Sequence, residues 1–470
     1  MSYLDQIVRV NIDLTAPAAD GASFDSILLM GAIPTHFISG NDWARETAYN
    51  VGDYAVNETR LYRCTTAGTS GSTAPTALSK TIDSVVDGTV KWQYVGTPTA
   101  DWTASSNYTV GTYVRSGSKV YLCIGAGTSG TVAPTAENAS VSDGTVLWAY
   151  QAPPAKVGCY GSWSEVKAAG WEEDPVGRAA AVAFAQSPKP AQIYIAVQQI
   201  ADGATESLTT TLNRAVQTPG WYMLCPAGLP ENQFTDLAAW TETQYKLLAY
   251  PVFSDNTVVD DNYYRSLGIF VKTSWGQADS EVPESNLYLH IAYAAKCLNY
   301  EPGSETWAFK TLAGGQSAGL ASSEIAVLNE ANLNCYVQCG GQKITLGGKV
   351  RAGEWIDVLR FRDWLQNEMQ KEIYNLFLTN PKIPYTDQGI GLVKNRMLAV
   401  LQKGQEKGGI AENEYDELDN LLPGYTVTVP LAADLSGTDR ASRQLTGCRW
   451  QARLAGAIQA VEISGVLGYE

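Results

Sequence analysis

Histidine is almost missing from this chain: 470 residues contain two, His36 and His290. A zinc site would therefore have to lean on cysteine. The eight cysteines are scattered, and only Cys335 and Cys339 stand as close as four apart. Metal binding is not expected from that pattern, and the thiols read as free. No run of eighteen or more apolar residues occurs, so no membrane-spanning helix is expected. The opening MSYLDQIVRVNIDL has an early Asp5 and no apolar core, so it does not read as a secretory signal, and synthesis and folding in a cytoplasm are expected. Lysine and arginine number 33 against 48 acidic residues, a net charge of −15. Such a balance argues against nucleic acid, which needs clustered cations to neutralise phosphates. Gly314-Gly315 and Gly340-Gly341 lack the spacing and the lysine of a phosphate cradle. Glu172, Glu173 and Asp174 form a local acidic cluster, but no carboxylate pair flanking a bond can be read from spacing. No nucleophile stands beside a base. The sequence thus offers no catalytic, cofactor-binding or metal-binding residue.

What is present, first, is a tandem repeat across residues 43–150. Trp43, Tyr49, Gly52, Tyr62, Cys64 and Gly68 return as Trp102, Tyr108, Gly111, Tyr121, Cys123 and Gly127, at a constant offset of 59. After a three-residue deletion, Asp87-Gly88-Thr89-Val90 with Trp92 returns as Asp143-Gly144-Thr145-Val146 with Trp148. Short β-favouring runs alternate with Gly/Ser/Pro turns, so each copy reads as a small three-stranded β module of about fifty residues. Its core would lean on its aromatic rings. Trp43, Tyr62, Trp92, Trp102, Tyr121 and Trp148 have two readings. They are glycan-stacking platforms, or they fill the interior of the module, and the second is favoured because little else could fill it.

Strands and helices alternate from Ser162 to Leu312, which argues for an α/β layer domain. Strands are expected over 192–197, 221–225 and 268–272, and helices over 177–186, 206–216, 231–248 and 284–297. Ser26–Gly31 reads as a buried strand. Further on, GEWIDVLRFRDWLQNEMQKEIYNLFLTNP reads as one long helix. Phe361, Leu365, Met369, Ile373 and Phe377 form its apolar stripe, and Asn380-Pro381 ends it. A second helix over 390–403 carries Lys394, Arg396 and Lys403, followed by Lys407. At the two ends, Ile7, Val8, Val10, Ile12 and Leu14, and then Ile458, Val461, Ile463 and Val466, alternate with polar residues as edge strands do.

The long helix with the "KIPYTDQGIG" loop, "AFAQSPKPAQIYIAV" and "TWAFKTLAGG" resemble segments of contractile phage tail sheath proteins, close to the Mu-like subgroup. The resemblance covers roughly residues 1–40 and 155–470. The repeats resemble small β modules of phage tail proteins, themselves similar to carbohydrate-binding type 5/12 modules. The implied fold is an α+β and α/β multidomain chain: a tail-sheath-like core with tandem small all-β insert modules. Its parts would be an N-terminal arm (1–22), a discontinuous α/β domain (23–40 and 153–304), β modules (41–96 and 97–152), a C-terminal domain (305–450) and a C-terminal arm strand (451–470). The implied function is structural, without enzyme activity or cofactor. Copies would form a helical stack of hexameric rings around a tail tube protein, with baseplate and tail terminator proteins as partners. Assembly would take place in the host cytoplasm, and the product would be part of the virion. The arms named above would be exchanged between subunits, and Lys394, Arg396, Lys403 and Lys407 would face the tube. Asp434, Asp439, Arg440 and Arg443 would form ion pairs. The alternative is a glycan-binding surface or accessory protein, with host surface glycans held on the six rings.

Overall fold

A computed structural model describes residues 24–38, 40–78, 85–151, 157–172, 174–201, 204–244, 246–255 and 258–467. Ile7, Val8, Val10, Ile12 and Leu14 lie outside the described residues. The centre is a six-stranded sheet built from β1 (Ile27–Gly31), β2 (Gly158–Tyr160), β3 (Ile193–Val197), β4 (Met223–Ala227), β5 (Leu247–Val252) and β6 (Ser266–Phe270), in the order β2-β3-β1-β4-β5-β6. All neighbours run parallel except β2, which pairs antiparallel with β3 at the edge. A parallel sheet needs cover on both faces, and its strands accordingly read as continuous apolar runs. In β1, Ile27 and Leu29 enter one core while Leu28 and Met30 enter the other. Helices α1 (Pro175–Phe184) and α4 (Leu289–Cys297) cover the first face; α2 (Leu208–Ala215) and α3 (Phe234–Gln244) cover the second.

β5 was not anticipated. Its sequence LLAYPV follows α3 almost directly, and the whole run 231–248 had read as one helix. A fully buried strand lacks the alternation that would separate it from a helix. The sheet therefore gains a strand, and α3 ends at Gln244.

Residues 305–355, assigned above to the C-terminal domain, pack on this α/β body. Leu312 and Tyr336 join the first core, while Ala318, Leu328, Leu333 and Val337 join the second. A hairpin of β7 (Cys335–Cys339) and β8 (Gln342–Leu346) extends the body, with Asn334 bridging to Ile269. The C-terminal domain proper is an antiparallel pair of long helices, α5 (Ile356–Thr379) and α6 (Asp387–Glu406), with a ribbon of Tyr425–Thr428 and Arg449–Ala452 against them. In α5 the stripe holds for Phe361, Leu365, Met369 and Ile373, but Leu376 replaces Phe377, which is exposed. A strict four-residue spacing overshoots each full turn by about 40°, so the stripe must step back by one residue.

Between β1 and β2 lie two small β units of identical topology. Each has a five-stranded sheet in which three longer strands are flanked by two short ones, so the three strands expected are the middle of five. The longer strands are Tyr54–Asn57, Arg60–Thr66 and Val90–Gly96 in the first unit, and Tyr113–Ser116, Lys119–Gly125 and Val146–Gln151 in the second. An acid-based staple closes each. Asp87 accepts hydrogen bonds from Trp43 Nε1 (2.8 Å), Trp92 Nε1 (3.0 Å) and the Gly71 amide (2.7 Å). Asp143 accepts from Trp102 Nε1 (2.7 Å), Trp148 Nε1 (2.9 Å) and the Gly130 amide (2.7 Å). Gly88 and Gly144, next in sequence, sit at φ 62° and 60°, where a Cβ would come within 2.4 Å of the Thr69 and Thr128 carbonyl oxygens. The Asp-Gly-Thr motif is thus a turn and a core hub at once.

Asp143→Ala leaves two buried indole N–H groups and one amide without an acceptor, at a cost of about 3 kcal/mol or more. Amide exchange across residues 100–151 should accelerate about a hundredfold or more, with residues 223–270 unchanged. Unaltered exchange in the second unit would remove the staple from its core.

Candidate functional site: the anchored arms

No cluster of three or more His, Cys, Asp or Glu residues suited to a metal exists among the described residues. No described helix is long and apolar enough to cross a membrane. The concentration of buried charge is elsewhere, at the head of α5. Ile356 and Leu359 belong to the α/β core, whereas Phe361 and the residues after it belong to the helical core. At the crossing point the helix is enclosed on all sides, and Arg360, Arg362 and Asp363 are buried there.

Arg360 Nη1 contacts Glu305 Oε1 at 2.5 Å, and both side chains are fully enclosed. The same guanidinium donates to the carbonyls of Cys297 (3.3 Å), Leu298 (2.7 Å) and Tyr300 (2.7 Å), at and just beyond the end of α4. A cation there meets the orphan carbonyls and the negative end of the helix dipole. Arg360 also donates to the Phe24 carbonyl, from Nη2 at 2.8 Å and Nε at 3.2 Å. Phe24 is the first described residue, and Arg360 holds its backbone against the end of α4.

Asp363 is gripped bidentately by Arg265, at 2.9 and 3.0 Å. It also accepts from Tyr222 Oη (2.6 Å) and Arg362 Nη2 (2.9 Å). Burial alone would raise the Asp363 carboxyl, but Arg265, then Arg362 and Tyr222, hold it below the usual carboxylate range. Burial pushes Glu305 up, against the pull of Arg360. Asp357, one turn earlier, is pushed up to about 6, first by burial and then by the charge of Glu305.

The C-terminal arm leaves from the same region. The chain is held up to Ala455, whose amide donates to the Gly409 carbonyl at 3.1 Å. Beyond it no strand forms among the described residues, so the strand expected over 457–466 has no pairing with another described segment. One tether persists: Gln459 Nε2 donates to Thr306 Oγ1 at 2.9 Å, next to Glu305. Ile458, Val461, Ile463 and Val466 are 84, 73, 87 and 98% exposed. Water is a poor environment for a row of aliphatic side chains, and a covering surface is called for.

The other residues singled out in the sequence fare differently. Lys403 bonds Glu368 (2.9 Å) and Glu372 (2.8 Å), Arg396 reaches Glu372 (3.3 Å), and Lys407 pairs with Glu301. The Lys403 hydrogen bond holds Glu372 below its ordinary range. Three of the four basic residues thus have acidic partners within the chain: α5 supplies those of Arg396 and Lys403, and Glu301, just past α4, that of Lys407. Lys394 is half-exposed. Tyr62, Trp92, Tyr121 and Trp148 are buried in their own units, and Trp43 and Trp102 are partly buried with their N–H groups spent on Asp87 and Asp143. Glycan stacking is corrected accordingly for Tyr62, Trp92, Tyr121 and Trp148, which are the interior, with Trp43 and Trp102 at its edge. Asp439 closes a capping box with Ser436, and Arg440 donates to the Ala432 carbonyl (2.6 Å), in place of the ion pairs expected there.

Residues 356–467 match the family model described as E217 tail sheath protein gp31-like, C-terminal domain. No curated protein matches the chain. Among solved structures, a chain of the anti-feeding prophage baseplate, six-fold symmetrised, aligns with a TM-score of 0.51 and 12% identity, over 67% of this chain and 89% of that one. A chain of the PVC sheath complex of an extracellular contractile injection system, in the contracted state, gives 0.46 and 12%, over 67% and 87%. The sheath tail protein of Desulfitobacterium hafniense gives 0.35 and 10%, over 90% and 93%. The likeness to the first of these is one of fold, over 67% of this chain, and the part that matches the tail sheath family model is the C-terminal domain alone.

Asp363→Ala strips two buried arginines of their counter-charge and should cost about 3–5 kcal/mol, read as a lowered urea midpoint. Adding Arg265→Met should recover part of that loss, and a loss that is not recovered would place the damage elsewhere. Asp357 holds a proton in the folded state between its ordinary 3.8 and about 6. Folded chains therefore bind more protons than unfolded ones in that window, and this group's contribution to stability falls as pH rises through it. Asp357→Asn should be more stable than the unaltered chain at pH 7 and equal to it near pH 4. A pH-independent difference would show that Asp357 does not titrate there.

Proposed function

We propose that this chain is the sheath subunit of a contractile tail or tail-derived injection system. The observation that carries the reading is the junction of a sheath-type C-terminal domain with an unpaired apolar arm rooted on the α/β body. Residues 458–466 alternate exposed aliphatic and polar side chains, a pattern that completes a sheet when it meets another chain's edge. The N-terminal arm leaves from the same node, through Phe24 and Arg360. Copies handing both arms to neighbours form heterologous contacts that repeat without limit, as a ring stack or helix around a tube.

Hexameric rings, arms exchanged between subunits, and a baseplate and terminator at the two ends belong to this reading. So does a place in the tail of the particle. The work is mechanical. An extended lattice is held kinetically and slides into a shorter, wider one of lower energy once released. New contacts between copies supply the free energy, so no nucleotide is consumed. The two β units form the outer decoration, in a loop where added domains are tolerated.

Removing residues 1–15, or truncating after Ala455, should leave a chain with unaltered circular dichroism that forms no tubes by negative-stain microscopy. Normal tubes from either shortened chain would contradict arm exchange. Globular particles alone from the intact chain at high concentration would contradict the sheath reading itself.

A further inference from the structure

The helical pair of the C-terminal domain carries uncovered apolar side chains at both of its ends. α6 has 20 residues and is therefore about 30 Å long. At its start, where α5 finishes, Phe377 and Leu378 are exposed, and so is Leu431. Leu431 is placed there by its neighbour Ala432, whose amide donates to Asp387 Oδ1 at 2.7 Å. Beyond the other end of α6 comes a hairpin in which Glu414–Tyr415 pairs with Leu421–Leu422. Gln405 Nε2, in the last turn of α6, donates to the Ala411 carbonyl at 2.8 Å and fixes where the hairpin begins. Tyr415, Leu418 and Leu421 are exposed, Leu418 by 82%.

The hairpin is held in shape. Arg453 Nη1 bonds Glu414 Oε2, and its Nη2 donates to the Glu412 carbonyl, both at 2.9 Å. At the tip, Asp416 Oδ1 accepts from the amides of Leu418 (2.9 Å) and Asn420 (2.8 Å). An ordered tip that offers an aliphatic side chain to water is pre-organised for a partner.

Charge distinguishes the two ends. Residues 412–420 contain five acids and no base. Residues 440–449 contain three arginines and no acid. This second stretch lies at the start of α6, since Arg440 donates to the Ala432 carbonyl there and Arg449 pairs with Thr428, the ribbon position farthest from the hairpin. Of the acids at that end, Asp387 and Asp439 accept from the Ala432 and Ser436 amides, which leaves Asp434 against Arg443, Arg449 and Lys382. Among the described residues, Glu412, Glu417, Arg443 and Arg449 have no ion-pair partner. About 30 Å of helix is roughly three screening lengths at 0.1 M salt, so the two ends do not neutralise one another within one chain.

We propose that copies of this chain join head to tail, with the 412–422 hairpin of one copy seated on the far end of the next copy's helical pair. Leu418 meets Phe377, Leu378 and Leu431, while the hairpin acids face Arg443 and Arg449. The apolar contacts supply most of the affinity, and the charges decide which patch meets which. Two hairpins repel, as do two arginine-bearing ends, so a symmetric pair is disfavoured. A contact between unlike patches repeats from copy to copy without closing on itself. A neighbour's C-terminal arm complements the hairpin poorly, because residues 456–467 hold one acid and no cation. The inference rests on the sheath reading for the assembly in which such copies meet.

Paired substitutions in the full chain test the contact: Glu412→Lys with Glu417→Lys on the hairpin, and Arg443→Asp with Arg449→Glu at the far end. Either pair alone sets like charges against each other and should raise the concentration needed for polymerisation about tenfold, with the dissociated chain's circular dichroism unaltered. All four together restore opposite charges and the original net charge, and should return that concentration to within about twofold of the intact chain's. No effect of either pair, or no recovery with all four, overturns the head-to-tail contact, while polymer from the intact chain leaves the sheath reading standing. Separately, with exposed Cys159 and Cys339 changed to Ser, Leu378→Cys with Leu418→Cys should give a ladder of disulfide-linked chains when polymer is oxidised. A ladder from Leu418→Cys with Ile463→Cys in its place assigns the hairpin to a neighbour's arm and overturns the proposal. Absence of any polymer from the intact chain overturns both readings.

Discussion

The buried charges at the head of α5 join the helical C-terminal pair to the α/β body. A helix that leaves one hydrophobic core and enters another has to cross a zone with no free face. Arg360, Arg362 and Asp363 occupy that zone; Arg360 and Asp363 find partners on the α/β body or its connecting loops, and Arg362 bonds Asp363. Such ion pairs gain little net stability over a well-packed apolar junction, because desolvation offsets much of the attraction. What they supply is a single register. Arg360 cannot satisfy Glu305 and the carbonyls around Cys297 and Tyr300 from any neighbouring helical position.

That register matters because residues near both ends of the described chain are tied to it. Phe24 is held by Arg360 itself, and Gln459 is held by Thr306, the neighbour of Glu305. Under the proposed arm exchange, force on either arm enters the body at these two contacts, the first buried and the second half-buried. A subunit that reorients in a lattice while its arms stay in its neighbours needs this stiffness at the root and freedom beyond it. The exposed aliphatic residues of 458–466 are surface that a solitary chain leaves uncovered and the proposed assembly would cover.

Much of this was legible in the residues. Continuous apolar runs announced β1, β3 and β4, and Asn380-Pro381 marked the end of α5 to the residue. The repeat announced two matching β units. Failures had physical causes. β5 follows α3 after only two intervening residues, neither of them Gly or Pro, and its fully apolar run lacks the alternation that would set it apart from a helix. Arg396, Lys403 and Lys407 read as a basic face because sequence spacing does not show Glu372, Glu368 and Glu301 lying opposite. Arg360 and Asp363 were passed over as ordinary charges on an amphipathic helix, since their burial depends on a second domain. The Asp87 and Asp143 hubs did leave a signal: an aspartate kept in both copies at a fixed distance from a tryptophan, read only as part of a turn.

The account stands or falls on where residues 458–466 go when copies meet. A cryo-EM reconstruction of polymer grown from the intact chain answers that directly. Ile458, Val461, Ile463 and Val466 should lie in a strand hydrogen-bonded to the backbone of an adjacent subunit, with Arg360 still bonded to Phe24 and Glu305. A segment folded back on its own α/β body, with neighbouring copies joined only through other surfaces, would contradict it.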